Sequence, residues 1–99
     1  MKKFDPSLYF ITDSTGFTEE EFLFRVEQAL KGGATLLQLR EKNKSTREYI
    51  QLAEKVHAIA KRYNVPLIID DRVDVALAID AEGVHVGAED MSITTARRL

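Results

Sequence analysis

The 99 residues carry fourteen Lys and Arg against sixteen Asp and Glu, a formal net charge of −2, and no cysteine. That balance lacks the basic excess of a nucleic-acid-binding surface, and without cysteine there are no disulfides, thiolate zinc sites or thiol nucleophiles. No run of about 20 apolar residues could cross a membrane, and the Met1-Lys2-Lys3-Phe4-Asp5-Pro6 start lacks a signal peptide's apolar core, so the expectation is a soluble, cytoplasmic globular protein.

Leu8-Tyr9-Phe10-Ile11-Thr12 is a continuous apolar and β-branched run, which predicts a strand buried on both faces. Asp13-Ser14-Thr15-Gly16 breaks it with turn residues and reads as a loop. Thr18 with Glu21 three residues later forms a capping box. The helix it starts buries Phe22, Leu23, Val26, Ala29 and Leu30 along one stripe. Gly32-Gly33 ends that helix.

The cycle then repeats. Thr35 to Arg40 is a second strand, followed by a charged loop from Glu41 to Lys44. Ser45 and Glu48 form a second capping box for a helix running to about Tyr63, with Ile50, Ala53, Val56 and Ala60 on its buried face. Its other face (Arg47, Gln51, Glu54, Lys55, Lys61, Arg62) is solvated, and Asn64 is the stop. Leu67-Ile68-Ile69 is a third strand, Val73 to Ile79 a short helix, and Gly83 to Val86 a fourth strand. Ser92 has the place of an N-cap for one more helix.

Strands alternating with helices imply parallel βαβ units with right-handed crossovers. No linker or low-complexity stretch divides the chain, so residues 1–99 read as one domain. Both a doubly wound open sheet and part of a (β/α)8 barrel fit that alternation. Gln38 and Arg40 share one face of the second strand and alternate with Leu37 and Leu39. A sheet covered by helices on both faces has little room for a mid-strand Gln and Arg, whereas a barrel lumen has. The barrel is therefore favoured.

In parallel α/β folds functional groups collect at the C-terminal ends of strands. Those ends deliver Thr12-Asp13, then Gln38, Arg40 and Lys42, then Asp70-Asp71-Arg72, and finally Glu89-Asp90. Two cations and an amide beside several carboxylates suit a magnesium-bound polyphosphate. Arg and Lys neutralise phosphate oxygens, while carboxylates hold Mg²⁺, a hard cation preferring oxygen. Each group also has a plainer reading. Gln-x-Arg-x-Lys describes a solvated strand face, Asp70-Asp71 a turn and N-cap, and Glu89-Asp90 a helix start favoured by the macrodipole. What favours function is their recurrence at one sheet edge. His85 and His57 read as satisfied internal histidines, and neither has a serine partner that would make a nucleophile. No glycine-rich phosphate loop is present.

Four blocks taken in order carry a resemblance: residues 8–13, 33–42, 66–74 and 83–90. They read LYFITD, GATLLQLREK, PLIIDDRVD and GVHVGAED, and they resemble thiamine phosphate synthase along nearly the whole chain. The resemblance implies a (β/α)8 barrel that joins hydroxymethylpyrimidine diphosphate to a thiazole phosphate and releases pyrophosphate. It implies that Gln38, Arg40 and Lys42 bind the diphosphate, Arg40 and Lys42 stabilising the leaving group, that Asp70 touches it, and that Asp71 and Asp90 hold Mg²⁺. Two positions depart from the family pattern: Asp70 stands where Asn is usual, and Ala88 where Gln is usual. Asp70 adds a carboxylate beside a polyphosphate and would repel it unless metal-bound or protonated, so it is expected to weaken or redirect binding.

A complete barrel takes about 250 residues, and a compact one about 200. The expectation is therefore the N-terminal half of a barrel, inactive alone because, as the resemblance implies, the thiazole-phosphate site lies in the other half. Two open strand edges favour self-association into a homo-oligomer. Two further readings remain: a thiazole tautomerase-like relative, which the diphosphate-binding set disfavours, and a non-catalytic half-barrel fragment that self-associates.

Overall fold

Helix starts are set by the two capping boxes. In the structure, a computed structural model that describes residues 7–86, Thr18 Oγ1 accepts the Glu21 N–H and the Glu21 carboxylate accepts the Thr18 N–H, both at 3.1 Å. They open α1 (Glu19–Lys31). Ser45 and Glu48 repeat the exchange at 3.2 and 3.0 Å and open α2 (Thr46–Arg62). The third helix, α3 (Val73–Ile79), starts at Arg72 with no side-chain cap, so the Asp70-Asp71 pair does not serve as its N-cap. The helices stop at left-handed residues: Gly33 follows α1 at φ 108°, Asn64 follows α2 at φ 58°, and Asp80 caps α3 at φ 58°. Asn and Asp are the non-glycine residues that tolerate this region best.

Between the helices run β1 (Tyr9–Thr12), β2 (Leu36–Leu39), β3 (Leu67–Asp70) and β4 (Gly83–His85). All pair in parallel, in the spatial order β1-β2-β3-β4. Each lies within about a residue of its predicted bounds at either end. The order never reverses, as a doubly wound sheet must at its switch point, and so matches consecutive strands of a barrel. The expected helix after Ser92 lies outside the described residues.

One expectation is corrected. The sequence reads β1 as buried on both faces, but Phe10 and Ile11 are exposed, Ile11 at 53%. Among the described residues β1 pairs only with β2, so it is an edge strand and its apolar run has neighbours on one side.

The core lies between one face of the sheet and the helices. Leu37, Leu39, Leu67, Ile69 and Val84 meet Phe22, Val26 and Leu30 of α1, Leu52, Val56 and Ala60 of α2, and Val75, Ala76 and Ile79 of α3. Truncating one of these large side chains to alanine typically costs about 2–5 kcal/mol. The exposed ion pairs Lys55–Glu19 and Arg62–Glu27, which join α2 to α1, are of a class worth about 0.2–1 kcal/mol. Packing therefore holds the helices together, and the ion pairs trim the surface.

His57 is buried and satisfied, as expected: its Nε2 lies 3.1 Å from both Glu82 carboxylate oxygens. Glu82 Oε1 also accepts the Leu67 N–H at 2.8 Å, which ties α2 to the beginning of β3. Burial pushes the Glu82 carboxyl up, but the hydrogen bonds from His57 and the Leu67 amide outweigh it and hold the group below its ordinary 4.5. A depressed carboxyl stabilises the fold above its unfolded pKa, and that contribution is lost as pH falls through the folded one. Glu82→Gln is thus expected to melt below wild type at pH 7, with the gap closing as pH falls below 4.5. Thermal melts from pH 7 to 3 check this, and a constant gap would contradict it.

Candidate functional site

A parallel strand sends alternate side chains to opposite faces. With Leu37, Leu39, Ile69 and Val84 committed to the helices, Gln38, Asp70 and His85 point the other way. The register aligns them, with Ile11 level with Gln38 and Asp70 level with His85. Arg40, Lys42, Asp71 and Arg72 follow in the loops just past β2 and β3. Together with Tyr9 and Ile11 these residues line a pocket of 680 Å³ at the C-terminal ends of the strands. Five of the six sequence-predicted site residues thus share one pocket, and Asp90 lies outside the described residues.

Tyr9, His85 and Arg72 also line the pocket, beyond the predicted site residues. Tyr9 accepts a hydrogen bond from Gln38 Nε2 across the β1–β2 pairing. Gln38 is only 3% exposed, so its amide orientation is set by that contact. Burial raises the Tyr9 phenol above its ordinary 10.0 despite the Gln38 hydrogen bond, and Asp70 adds to the rise. Period-two spacing from Ile11 was the available signal for Tyr9, masked because the whole strand is apolar. His85 lies on the pocket side and donates Nδ1–H to Asp70 Oδ1 at 3.0 Å. Arg72 lies over the Tyr49 ring at 5.7 Å and hydrogen-bonds Thr46 Oγ1 at 2.6 Å and both Asp74 oxygens.

The departure at position 70 has a local solution. While His85 holds Oδ1, the Arg40 Nε stands 3.5 Å from Oδ2. The carboxylate thus has a cationic or donor group on each side, and no hydrogen bond ties the two terminal nitrogens of Arg40 to the described residues. Glu41 is committed elsewhere: Ser14 donates both its N–H (2.6 Å) and its hydroxyl (2.9 Å) to that carboxylate. This joins the loop after β1 to the loop after β2, so the Asp13–Gly16 turn is structural.

Asp71 differs from Asp70. It is exposed, left-handed at φ 62°, and its N–H is donated to His85 O at 2.7 Å, while no hydrogen bond ties its carboxylate to the described residues. No group of three or more His, Cys, Asp or Glu among the described residues could hold a metal ion. Among the described residues, then, no closed protein cage forms there. One free hard carboxylate beside two cations fits Mg²⁺ shared with phosphate oxygens and water, the usual arrangement for that ion.

The family described as Thiamine monophosphate synthase matches residues 8–99. A thiamine-phosphate synthase of Methanobrevibacter smithii is 52% identical over 99 residues, covering all of this chain and 47% of that protein. Its counterpart in Caldanaerobacter subterraneus subsp. tengcongensis is 50% identical, again over the whole chain and 46% of the relative. A solved thiamine phosphate pyrophosphorylase from Pyrococcus furiosus superposes with a TM-score of 0.74 at 45% identity, covering 86% of this chain and 41% of that one. The chain spans about half the length of the curated relatives it matches, and its parallel βα units are the N-terminal half of a (β/α)8 barrel. By sequence, fold and strand-end residues alike, the chain belongs to the thiamine monophosphate synthase family.

Proposed function

We propose that this chain is one partial domain carrying the magnesium–diphosphate half-site of a thiamine-phosphate synthase, a transferase of thiamine biosynthesis. The observation that carries the reading is the convergence of Gln38, Arg40 and Lys42 with Asp70 and Asp71 on one strand-end pocket. In the reaction the carbon–oxygen bond to the diphosphate of hydroxymethylpyrimidine diphosphate breaks, and the electron pair leaves with the diphosphate. The thiazole nitrogen of the second substrate then donates its lone pair to the pyrimidine methylene carbon, giving thiamine phosphate. No proton is abstracted, which agrees with a pocket built of charges rather than around a general base.

Within that reaction the chain's own residues bind and stabilise. Arg40 and Lys42 meet the charge that develops on the leaving diphosphate, the electrostatic work that dominates such steps. Gln38, oriented by Tyr9, presents the rest of its amide to the same substrate. Asp70 acts by holding Arg40 and His85 beside the diphosphate. Asp71 and Asp90 would hold Mg²⁺, which when bound supplies Lewis-acid neutralisation of phosphate oxygens. A tautomerase-like relative has no need of this set. Phosphorylated substrates do not cross membranes unaided, which supports a cytoplasmic setting.

Isothermal titration of magnesium pyrophosphate into the 99-residue chain tests the assignment. Binding is expected without turnover when both substrates are supplied. Arg40→Ala is expected to weaken that binding about tenfold, the scale of one charged hydrogen bond. Equal affinity in the two proteins would remove the site.

The same reading includes self-association. Leu8, Phe10, Ile11, Phe17 and Phe24 are exposed around β1 and α1, and Val73 and Leu77 are exposed on α3, beside the opposite edge of the sheet. An unpaired parallel edge flanked by apolar side chains is a template for a second chain. Sedimentation is expected to show dimers at high concentration, and a strictly monomeric species would end this part of the reading.

A further inference from the structure

We infer that Tyr49 is a positioning residue for the strand-end site, its hydroxyl spanning the last carbonyls of β2 and β3 and so setting the separation of Arg40 from Asp71. The inference rests on the diphosphate reading for its functional consequence, but its geometry stands on the fold alone.

Tyr49 lies in the first turn of α2 and is fully buried. Its hydroxyl donates to Leu39 O at 3.0 Å and reaches Asp70 O at 3.4 Å. One proton is thus shared between two acceptors, the shorter contact being to β2. Leu39 and Asp70 are the final residues of their strands, and the next residue in each case is a site residue, Arg40 or Asp71. The β2–β3 register runs no further than Leu39–Ile69. The next residues bond to the outer strands, in the ordinary alternation of a parallel ladder: Arg40 N–H is donated to Thr12 O of β1 at 2.9 Å, and Asp71 N–H to His85 O of β4 at 2.7 Å. Where the β2–β3 pairing ends, the Tyr49 hydroxyl touches both strands.

The ring itself is held against sliding. Arg72, in the loop after β3, lies over its face and hydrogen-bonds Thr46 at the start of α2. The helix start and the β3–α3 loop therefore clasp the tyrosine between them. A phenylalanine would fill the same volume and keep the same packing, so only the oxygen carries the bridge. A metal–diphosphate held jointly by a guanidinium and a carboxylate is sensitive to their separation, because a misplacement of about 1 Å can cost orders of magnitude in a reaction that depends on positioning.

The test compares Tyr49→Phe with Tyr63→Phe. Tyr63 follows the other end of α2, where its hydroxyl donates to Glu27 at 2.8 Å, far from the site. Titrated with magnesium pyrophosphate, Tyr49→Phe is expected to bind three- to tenfold more weakly than wild type, and Tyr63→Phe to bind like wild type at a comparable change in melting temperature. In amide NMR spectra without ligand, Arg40 and Asp71 are expected to shift in the first variant and not in the second. Unmoved amides, or equal loss of affinity in the two variants, would overturn the inference. If wild type binds no pyrophosphate, the diphosphate reading fails while the amide shifts still judge the bridge. Should Tyr49→Phe not fold, the wild-type chain supplies the readout. A slowly exchanging Tyr49 hydroxyl proton close to the Arg40 and Asp71 amides is expected, and its absence would overturn the bridge.

Discussion

The burial of Leu37, Leu39, Ile69 and Val84 against three helices is the constraint on which the rest of this structure depends. In a strand, side chains alternate with a period of two, so a slip of one residue would exchange the two faces entirely. Such a slip would turn the core leucines and isoleucine away from the helices and press Gln38, Asp70 and His85 into the helical layer. Each polar group buried there without a partner costs about 1–3 kcal/mol. The register that places the candidate site is thus enforced by residues that take no part in it.

Once the alternation is set, the site is an electrostatic assembly built from neighbours in space. Asp70 stands between His85 of the next strand and Arg40 of the previous one, so none of these three is left as an isolated charge. Asp71, one residue on, is turned out by its left-handed backbone and keeps its carboxylate clear of that assembly. Adjacent aspartates therefore have different surroundings. One is half enclosed and neutralised by its neighbours, and the other is exposed and available to a cation.

The two ends of the strands are supported differently. At the beginning of β3, His57, Glu82 and the Leu67 amide form a closed hydrogen-bonded group that joins helix to sheet. At the C-terminal ends the supports are spread over the loops: Ser14 on Glu41, Arg72 on Thr46, and Tyr49 on two carbonyls. Burial pushes the Tyr49 phenol up to about 12, against the lowering effect of a hydrogen bond with the Glu41 backbone and with the charges of Asp70 and Glu41 adding to the rise. It remains a neutral donor throughout the physiological range. This division matches the general rule for parallel α/β barrels, in which one end maintains stability and the other holds function.

Much of this was readable from local patterns. Capping boxes at Thr18–Glu21 and Ser45–Glu48, the Asn64 stop and the alternation of Gln38 and Arg40 with Leu37 and Leu39 each depend on residues within a few positions of one another, where backbone geometry alone dictates the outcome. The same locality, with four family-like blocks in order, pointed to Gln38, Arg40, Lys42, Asp70 and Asp71 as a group. Tertiary structure alone decided the rest. Among the described residues it left β1 with a strand on one side only, because whether an apolar run is covered depends on what packs beside it. It joined Gln38 to Tyr9 and Asp70 to His85, and carried the Tyr49 hydroxyl to the ends of two strands. These partners are 29, 15, and 10 and 21 residues apart in the chain. Such contacts exist only after the sheet register has formed, and no local pattern of residues encodes them.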